Sequence, residues 1–394
     1  MNWTEVSGLK YPDWYEQKSR LKDSFWFKNL PSQSAQEVLK QLDESWRSYN
    51  ELRKTGGIRN PNPPGYKRSN FNLRYLNKGF IINEGSIRLS IPKQQKKYFK
   101  LKHGIEADFL YIPIPDEYKG YKGNTKVIEI MPGKEKYRII IMIELPKPEE
   151  KQDNGIYMGI DLGINNLITC YVSTGKTYII SGRQLLSVNR YYDKTIGYYQ
   201  STAHSEQSAR GIKYPKDTRR IKQLYEKRRK QVNHLLHAAG KHVIEIAVKE
   251  NVTGIIIGDV THIRENKDMG RKNNQKFHKW PYARIKNILA YKAEDRGIAV
   301  DKQEESYTSQ CSPYAQEVSE ETADKNNRKH RGLYIDGGTA CNADCVGAYN
   351  ILKKYLCGIG KPNPAVVGLD TPEAYRWNCH SFIGSSKLAI SIAM

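Results

Sequence analysis

The order of short apolar segments after residue 155 constrains the fold of this chain more than any other feature. Tyr157–Asp161 is an apolar run that ends in a carboxylate, and Leu167–Ser173 and Lys176–Ser181 follow it at hairpin spacing. Short runs with turn residues between them are typical of strands that pair in an antiparallel meander. The segment therefore predicts three consecutive strands at the start of a mixed sheet.

Longer segments of alternating type follow the meander. We expect a long basic helix over residues 216–250, then a strand at Gly254–Gly258, an amphipathic helix at Trp280–Arg296, a strand at Gly297–Glu304 and a final helix at Asn342–Leu356. Three hairpin-linked strands followed by alternating helices and strands is the order of the RNase H-like fold. The second half of the chain is therefore predicted to be a domain of this type.

The first part of the chain has a different pattern. Apolar residues recur at helical spacing from Pro31 to Arg53, and the Gly- and Pro-rich segment from Gly56 to Gly65 interrupts them. Five strand-like runs lie between residues 70 and 147, which predicts a small antiparallel barrel or sheet. These runs are Phe80–Ile82, Ile87–Ile91, Phe109–Ile112, Lys126–Ile130 and Tyr137–Leu145. The charged, proline-bearing segment Pro146–Asn154 predicts a linker.

The charge balance indicates a polyanionic partner. The chain has 64 Lys and Arg against 42 Asp and Glu, a net charge of +22, and 27 Tyr that could stack on unpaired bases. A merely soluble basic protein and a protein bound to anionic membrane are the alternatives. We find no secretion signal and no apolar run of membrane-spanning length, and we expect a cytoplasmic, nucleoid-associated prokaryotic protein without a membrane partner. The six Cys are then free thiols or metal ligands.

Asp161 is the first candidate for metal chemistry, because it interrupts an apolar strand in Gly159–Gly163. A buried, unpaired carboxylate is costly, and a divalent cation commonly relieves that cost. The Asp-x-Gly pattern also occurs in sugar kinases and actin-like ATPases, and backbone donors could satisfy the carboxylate instead. Further acids follow at the ends of predicted elements, namely Asp259, Glu305 and Asp344. Carboxylates at neighbouring strand ends and on a facing helix can bridge two metal ions.

Several segments, in this order and spacing, resemble the TnpB family of transposon-associated, RNA-guided DNA nucleases. They are Gly159–Gly163, Ile255–Val260, Asn274–Trp280, Tyr291–Glu294, Gly297–Ile298, Glu305–Cys311 and Ala343–Ile351. The resemblance implies a RuvC-type nuclease in which Asp161 and Asp344 match the first and third catalytic acids. Many members have Glu where this chain has Gly258, which offers no ligand. The resemblance to a branch with a relocated Glu implies Glu305 as the second acid, with Asp259 and Glu304 as alternatives.

The resemblance also implies a division of the chain into an α+β and α/β multidomain protein. We expect a helical recognition fragment at residues 1–60, a WED-like β-barrel at 61–150, and the RuvC nuclease domain at 151–310. A degenerate zinc-ribbon insertion would occupy 311–340, and the final RuvC helix with a C-terminal tail would occupy 341–394. The family has two pairs of Cys in this insertion, and this chain keeps only Cys311 of them. Tyr314, Tyr334 and Gly337 stand in the other three places, so the insertion is degenerate.

Zinc is therefore not expected. A structural zinc site needs four thiolate or imidazole ligands. Cys311, Cys341, Cys345 and His330 are the residues that could improvise one, and unligated thiols are the alternative.

Basic residues form the candidate nucleic-acid surfaces. Seven like charges almost unpaired by acids lie at the start of the long helix, and a Lys-rich stretch with Tyr98 and Phe99 and a polar loop after Gly270 add further cations. The candidates are Arg219, Arg220, Lys222, Lys227, Arg228, Arg229, Lys230, Lys93, Lys96, Lys100, Arg271 and Lys272. The alternative is that these residues form solvated faces.

The expected function is RNA-guided cleavage of double-stranded DNA by two-metal phosphodiester hydrolysis. Mg²⁺ is the expected metal, with Mn²⁺ as an alternative, and guide RNA and DNA are the expected partners. We expect a monomer, with a homodimer as the alternative. Two other functions stay open: a nuclease-dead, RNA-guided DNA-binding protein of repressor type, and a decayed remnant that binds RNA loosely.

Overall fold

The computed structural model describes residues 11–56, 58, 60–66, 71–83, 85–133, 136–259, 280–330 and 332–385. The chain forms two compact units, of which the first ends at Pro146 and the second begins at Lys147. Among the described helices, none combines the length and the apolar character that a membrane crossing requires.

The described part of the first unit starts with three helices, α1 (Trp14–Leu21), α2 (Phe25–Lys28) and α3 (Ser32–Thr55). The side chains of Asp13 and Ser24 cap α1 and α2 by accepting backbone N–H groups of the first turn. Helix α3 is the helix that the apolar spacing predicts, and it stops at Gly56, whose φ of 64° is left-handed.

Six strands follow in the first unit and form two antiparallel sheets. The strands are β1 (Leu73–Leu76), β2 (Phe80–Asn83), β3 (Ser86–Ser90), β4 (Phe109–Pro113), β5 (Thr125–Pro132) and β6 (Tyr137–Ile143). One sheet has the order β1–β5–β6 and the other β2–β3–β4. Buried side chains from both sheets, among them Tyr75, Leu89 and Ile128, share one hydrophobic core. All five predicted runs form strands. Strand β1 was not predicted, because its four residues are too few to give a clear alternation of apolar and polar side chains. The Lys-rich stretch is a helix, α4 (Lys93–His103).

The second unit contains nine strands and four helices in the part of the chain that the structure describes. The elements are β7 (Tyr157–Asp161), β8 (Asn166–Val172), β9 (Thr177–Ser181), α5 (Arg183–Ala209), α6 (Arg219–Lys249), β10 (Gly254–Asp259), α7 (Tyr282–Glu294), β11 (Ala299–Glu304), β12 (Leu333–Asp336), β13 (Thr339–Asn342), α8 (Ala343–Gly358), β14 (Glu373–Trp377) and β15 (Phe382–Gly384). Each segment predicted from residue 157 onward forms its element, with ends shifted by a few residues.

One seven-stranded sheet organises the second unit, in the order β11–β10–β7–β8–β9–β14–β15. The meander β7–β8–β9 is antiparallel, whereas β10 pairs in parallel with both β7 and β11. Helices α6 and α7 cover one face through residues such as Leu236, Val243 and Ile285, and α8 covers the other. Strand β7 therefore lies at the centre of the core, with its carboxyl end beside that of β10.

Two features of the second unit correct the sequence analysis. Helix α5 was not predicted, because its apolar face is narrow and is completed by Tyr192, Ile196 and a partner on α6, Ile221. The segment expected to be a C-terminal tail contains β14 and β15, and β14 pairs in parallel with β9. Only short apolar runs mark these strands, and the neighbouring strand supplies the rest of their stabilisation.

Helix α8 packs closely against β7 because glycines, which have no side chain, occupy the positions where the helix and the strand meet. A methyl group placed on Gly159 would overlap the backbone carbonyl of Ala348, and it would lie 2.8 Å from Cβ of Leu352. A methyl group on Gly347 would lie 2.8 Å from Oδ2 of Asp161. This packing brings the first turn of α8 to the end of β7.

We predict that Gly159→Ala lowers the stability of the second unit by about 1–3 kcal/mol, because overpacking forces the helix away from the sheet. Thermal or urea unfolding measures this change. Gly197→Ala is the matched control, because Gly197 lies on α5 with no atom near its added methyl group. That control should stabilise by up to about 1 kcal/mol through helix propensity. Equal effects of the two substitutions would contradict the close packing.

Candidate active site

Asp161 is the last residue of β7, which lies between β10 and β8 in the large sheet. Burial raises the pKa of its carboxyl well above the usual value, and the charges of Asp344 and Glu305 raise it further. The guanidinium of Arg328 and the backbone N–H of Leu162 oppose this rise. The charges of Asp344 and Glu305 therefore both act on the carboxyl of Asp161 at one end of the sheet.

Glu305 directly follows β11, the strand beyond β10. Its Oε1 atom is buried and has no hydrogen-bond partner among the described residues. Burial raises the pKa of Glu305 to about 7; Lys286 opposes the rise, and Asp259 and Glu304 add to it. A carboxylate in this situation is one that a cation would stabilise.

Gly258 makes the position of Glu305 sterically feasible. A methyl group placed on Gly258 would overlap the Glu305 carboxylate, and it would lie 2.8 Å from Cδ1 of Ile351. The Glu305 carboxylate thus fills the space that a side chain from residue 258 would enter. The residue that offers no ligand therefore leaves room for one from the next strand.

Asp344 lies in the first turn of α8, which Asn342 caps through Oδ1 by accepting the N–H groups of Asp344 and Cys345 at 3.0 and 3.2 Å. The Asp344 carboxylate accepts a hydrogen bond of 2.7 Å from Nδ2 of Asn166, at the start of β8. It also lies 3.5 Å from Nη2 of Arg328, in the insertion before β12. Asn166 and Arg328 therefore hold this side chain from two sides.

The two alternative second acids have other partners. Asp259 pairs with Nζ of Lys286, on α7, at 2.7 Å. Glu304 is 62% exposed and pairs with Nζ of Lys354 at 2.7 Å. Burial alone would raise the pKa of Glu304, but the hydrogen bonds from Lys354 and Ser306 outweigh it and lower the pKa. Of the three candidates, Glu305 has the buried oxygen without a hydrogen-bond partner.

The chemistry of these acids fits a hard divalent cation. The donors are carboxylate oxygens, which Mg²⁺ and Mn²⁺ prefer, and the unpartnered Oε1 of Glu305 would gain a ligand bond. Among the described residues, however, no three His, Cys, Asp or Glu side chains are already arranged as a group that could hold a metal ion. Asp344 and Glu305 are close enough to Asp161 to raise its pKa, and Asn166 and Arg328 hold the Asp344 carboxylate.

The same finding applies to the zinc candidates. Cys311, Cys341, Cys345 and His330 do not form a metal-binding group. Cys311 is buried, and its Sγ donates to the carbonyl of Ser319 at 3.2 Å and accepts from Thr322 at 3.3 Å. Burial raises the pKa of Cys341 and of Cys345, which disfavours their thiolate forms.

The basic surface of α6 is mostly exposed, as the charge pattern suggested. Six of its seven candidate residues are exposed, namely Arg219, Arg220, Lys222, Lys227, Arg229 and Lys230. Arg228 corrects the sequence analysis, because it is half-buried and donates two hydrogen bonds to Oδ1 of Asn189 on α5, at 3.1 and 2.9 Å. Arg228 therefore joins the two helices instead of contributing to the exposed surface.

In the first unit, the candidate lysines of α4 have acidic neighbours. Lys96 lies 2.7 Å from Asp108, and Lys100 lies 2.5 Å from Glu106. A cavity of about 1000 Å³ brings Lys93 and Lys97, both on α4, together with four lysines that the sequence analysis missed. These are Lys18, Lys22, Lys28 and Lys78. They are distant from α4 in the sequence, so no local pattern could have grouped them with it. Arg271 and Lys272 lie outside the described residues.

Asn166, Lys286 and Arg328 were also missed as residues of the acid cluster. Each comes from a different part of the second unit and meets its acid only in the folded chain. No spacing along the sequence indicates these contacts.

Comparison with known proteins agrees with this architecture. Residues 140–264 match the OrfB_IS605 family model, described as a probable transposase, and residues 282–351 match the Cas12f1-like TNB domain. A TnpB-like protein of Acidianus two-tailed virus is 25% identical over 351 residues, covering 82% of this chain and 72% of the relative. The CRISPR-associated endodeoxyribonuclease Cas12f1 of Sulfoacidibacillus thermotolerans is 24% identical over 342 residues, covering 82% and 76%.

A solved structure shares the fold. The Cas12f1–sgRNA–target DNA complex contains a chain that superposes with a TM-score of 0.58 at 16% identity, covering 89% of this chain and 77% of the other. Two family models therefore match separate parts of the second half of this chain, and the chain is similar to TnpB-like proteins and to Cas12f1 over most of its length.

We predict that Glu305→Gln stabilises the protein above pH 7 in the presence of EDTA. Folding raises the pKa of this acid from about 4.5 to about 7, so the folded state keeps its proton up to a higher pH than the unfolded state does. The carboxyl therefore lowers the free energy of unfolding as the pH rises through that range, and the substitution removes this loss. At about 1.4 kcal/mol per pH unit, the gain at pH 8 is on the order of 3 kcal/mol, and it disappears near pH 4. Urea unfolding at both pH values measures it.

The neighbouring residue supplies the control for this experiment. Glu304→Gln removes an ion pair and an acid whose pKa is lowered on folding, so its effect at pH 8 should be small and destabilising. A Glu305→Gln variant that is no more stable than the parent at pH 8 would show that its carboxylate is not buried as described.

Proposed function

We propose that the chain is an RNA-guided DNA endonuclease with a RuvC-type site, in which Asp161, Glu305 and Asp344 are the catalytic acids. The observation that carries the proposal is that the charges of Asp344 and Glu305 both act on the buried carboxyl of Asp161 at the end of β7. The five-strand order β9–β8–β7–β10–β11, with a helix across it, is that of an RNase H-like nuclease. The relatives support a nuclease, since one of them is an endodeoxyribonuclease.

The proposed cofactors are two Mg²⁺ ions, with Mn²⁺ as an alternative, held by Asp161, Glu305 and Asp344. Divalent cations bound there would supply activation of a water molecule and stabilisation of charge on the leaving oxygen. The chain's own contribution is to fix the acids: Asn166 and Arg328 hold Asp344, and the short distance between α8 and β7 holds Asp161 beside it. Lys286 pairs with Asp259 near Glu305, and its positive charge offsets part of the negative charge of these acids.

The proposed partners are guide RNA and double-stranded DNA. A solved relative is a complex with sgRNA and target DNA, and this chain carries the exposed cations of α6 and the lysine-lined cavity of its first unit. Backbone phosphates are the groups that such cations contact, while base pairing with the guide would select the sequence. We propose a monomer as the functional unit, with a homodimer as the alternative.

Asp161→Ala tests the enzymatic proposal. In a complex with guide RNA and Mg²⁺, this change should lower the rate of target cleavage about a thousand-fold, because loss of a metal ligand removes several kcal/mol of transition-state stabilisation. Guided DNA binding, measured by gel shift, should be unchanged. If the parent chain binds its target but cuts nothing, the protein is a nuclease-dead DNA-binding protein, and loss of both properties in the parent indicates a decayed remnant.

The second acid is tested by three neighbouring substitutions in the same assay. Glu305→Gln should abolish cleavage, whereas Asp259→Asn and Glu304→Gln should retain much of it, because these two side chains pair with Lys286 and Lys354. Full activity of the Glu305→Gln protein would exclude Glu305 from the site.

Arg229 and Arg228 separate nucleic-acid contact from folding. Arg229→Gln should weaken binding of the guide RNA or its duplex and reduce the slope of log affinity against log salt by about 1, with stability unchanged. Arg228→Gln should instead destabilise the α5–α6 pair, because it removes two hydrogen bonds to Asn189. Salt titrations of nucleic-acid binding and thermal unfolding of both variants measure the difference. A loss of stability in Arg229→Gln together with weaker binding in Arg228→Gln would contradict the roles given to these two residues.

A further inference from the structure

Two polar side chains of α8 are among the most deeply buried in the protein. Asn350 and Lys353 are 0% and 1% exposed, and they follow Asp344 on the same helix by about two turns. A lysine is almost never fully buried unless its charge is compensated, since burying an ammonium group is costly. Their contacts therefore need a functional or structural explanation.

Both side chains bind the backbone of one loop, residues 306–316, which begins directly after Glu305. Nδ2 of Asn350 donates to the carbonyls of Thr308 and Cys311 at 2.8 and 2.9 Å. Nζ of Lys353 donates to the carbonyl of Pro313 at 3.2 Å and also to that of Ala315. Asn350 and Lys353 thus form four hydrogen bonds from the helix that carries Asp344 to the loop that follows Glu305, and Lys354 of the same helix donates a further one to the carbonyl of Ser306 at 3.3 Å.

The loop has a conformation that its own sequence does not favour. Tyr307, two residues after Glu305, has a φ of 66°, in the left-handed region that disfavours residues with a side chain. Such a residue persists only where its surroundings fix it, and the carbonyl of Thr308 beside it is one of the four acceptors. The loop is therefore held by external contacts, and α8 provides them.

Packing alone does not explain the choice of side chains. A Leu or Met at residues 350 and 353 would fill the space without an ammonium to desolvate, but it would leave four loop carbonyls without these donors. Directional donors fix the position of a loop along a helix, which apolar contacts do less well.

We propose that Asn350 and Lys353 are positioning residues that form a clamp between α8 and the loop of residues 306–316, and thereby fix Glu305 relative to Asp344. This inference rests on the proposed function for the role of the two acids.

The parent protein provides the first test. Hydrogen–deuterium exchange should show the amides of Thr308, Gln310 and Cys311 protected to nearly the same extent as those of α8, because the clamp joins them into one cooperative unit. Exchange of these amides a hundred-fold faster than that of α8 would overturn the proposal, and this measurement does not depend on any variant or on catalysis.

Two substitutions provide the second test, with Lys302→Met as the control at an exposed lysine of β11. Lys353→Met and Asn350→Leu keep the side-chain size but remove the donors. Each should speed exchange in the loop at least ten-fold and raise the Mg²⁺ concentration for half-maximal cleavage several-fold, while affinity for guide RNA and target DNA stays within two-fold. If the two side chains only fill space, the variants should be less stable, but the ratio of hydrogen exchange rates in the loop and in α8 should not change. The Mg²⁺ dependence of cleavage should not change either. That result would refute the clamp.

The outcomes separate this inference from the proposed function. Should the parent chain cut nothing, the exchange measurements still decide whether the clamp exists. Should Lys353→Met fail to fold, Asn350→Leu and the exchange pattern of the parent protein carry the test. If hydrogen exchange in the loop becomes faster in both variants while the Mg²⁺ dependence of cleavage does not change, Asn350 and Lys353 anchor the loop. That result would refute their role in positioning Glu305.

Discussion

The close contact between α8 and β7 is the constraint on which the site depends. Gly159 and Gly347 leave no side chain between the helix and the strand, so the Asp344 turn can lie over the end of β7. Any larger residue would increase the separation and draw Asp344 away from Asp161. The same contact brings Asn350 and Lys353 to the loop after Glu305. Packing of one helix thereby determines the positions of two acids on other elements.

Sterics link residue 258 to Glu305, the acid that we propose as the second catalytic residue. A side chain at residue 258 and the Glu305 carboxylate cannot share the space at the end of β10, since even a methyl group there would overlap the carboxylate. The glycine on one strand therefore permits the present position of the glutamate that follows the neighbouring parallel strand.

Much of the fold could be predicted from the sequence, because its strands are buried apolar runs and its main helices have clear apolar stripes. Helix α5 and strands β14 and β15 could not, since tertiary contacts with Ile221 and β9 stabilise them more than their own pattern does. Asp161 and Asp344 are visible as acids at the ends of predicted elements. The family resemblance was needed to select Glu305, and Arg328 and Asn166 join the site only through long-range contacts.

The electrostatics of the site bear on which function the chain retains. Burial and the neighbouring charges raise the pKa of Asp161 well above its usual value, and burial raises that of Glu305 to about 7, so at neutral pH these acids lower the stability of the folded state. A protein that only binds nucleic acid gains nothing from this arrangement, because carboxylates repel phosphates. A nuclease gains the ligands for its cations. The unpartnered oxygen of Glu305, together with the four hydrogen bonds by which Asn350 and Lys353 hold the loop after it, is therefore more readily explained by catalysis than by binding alone.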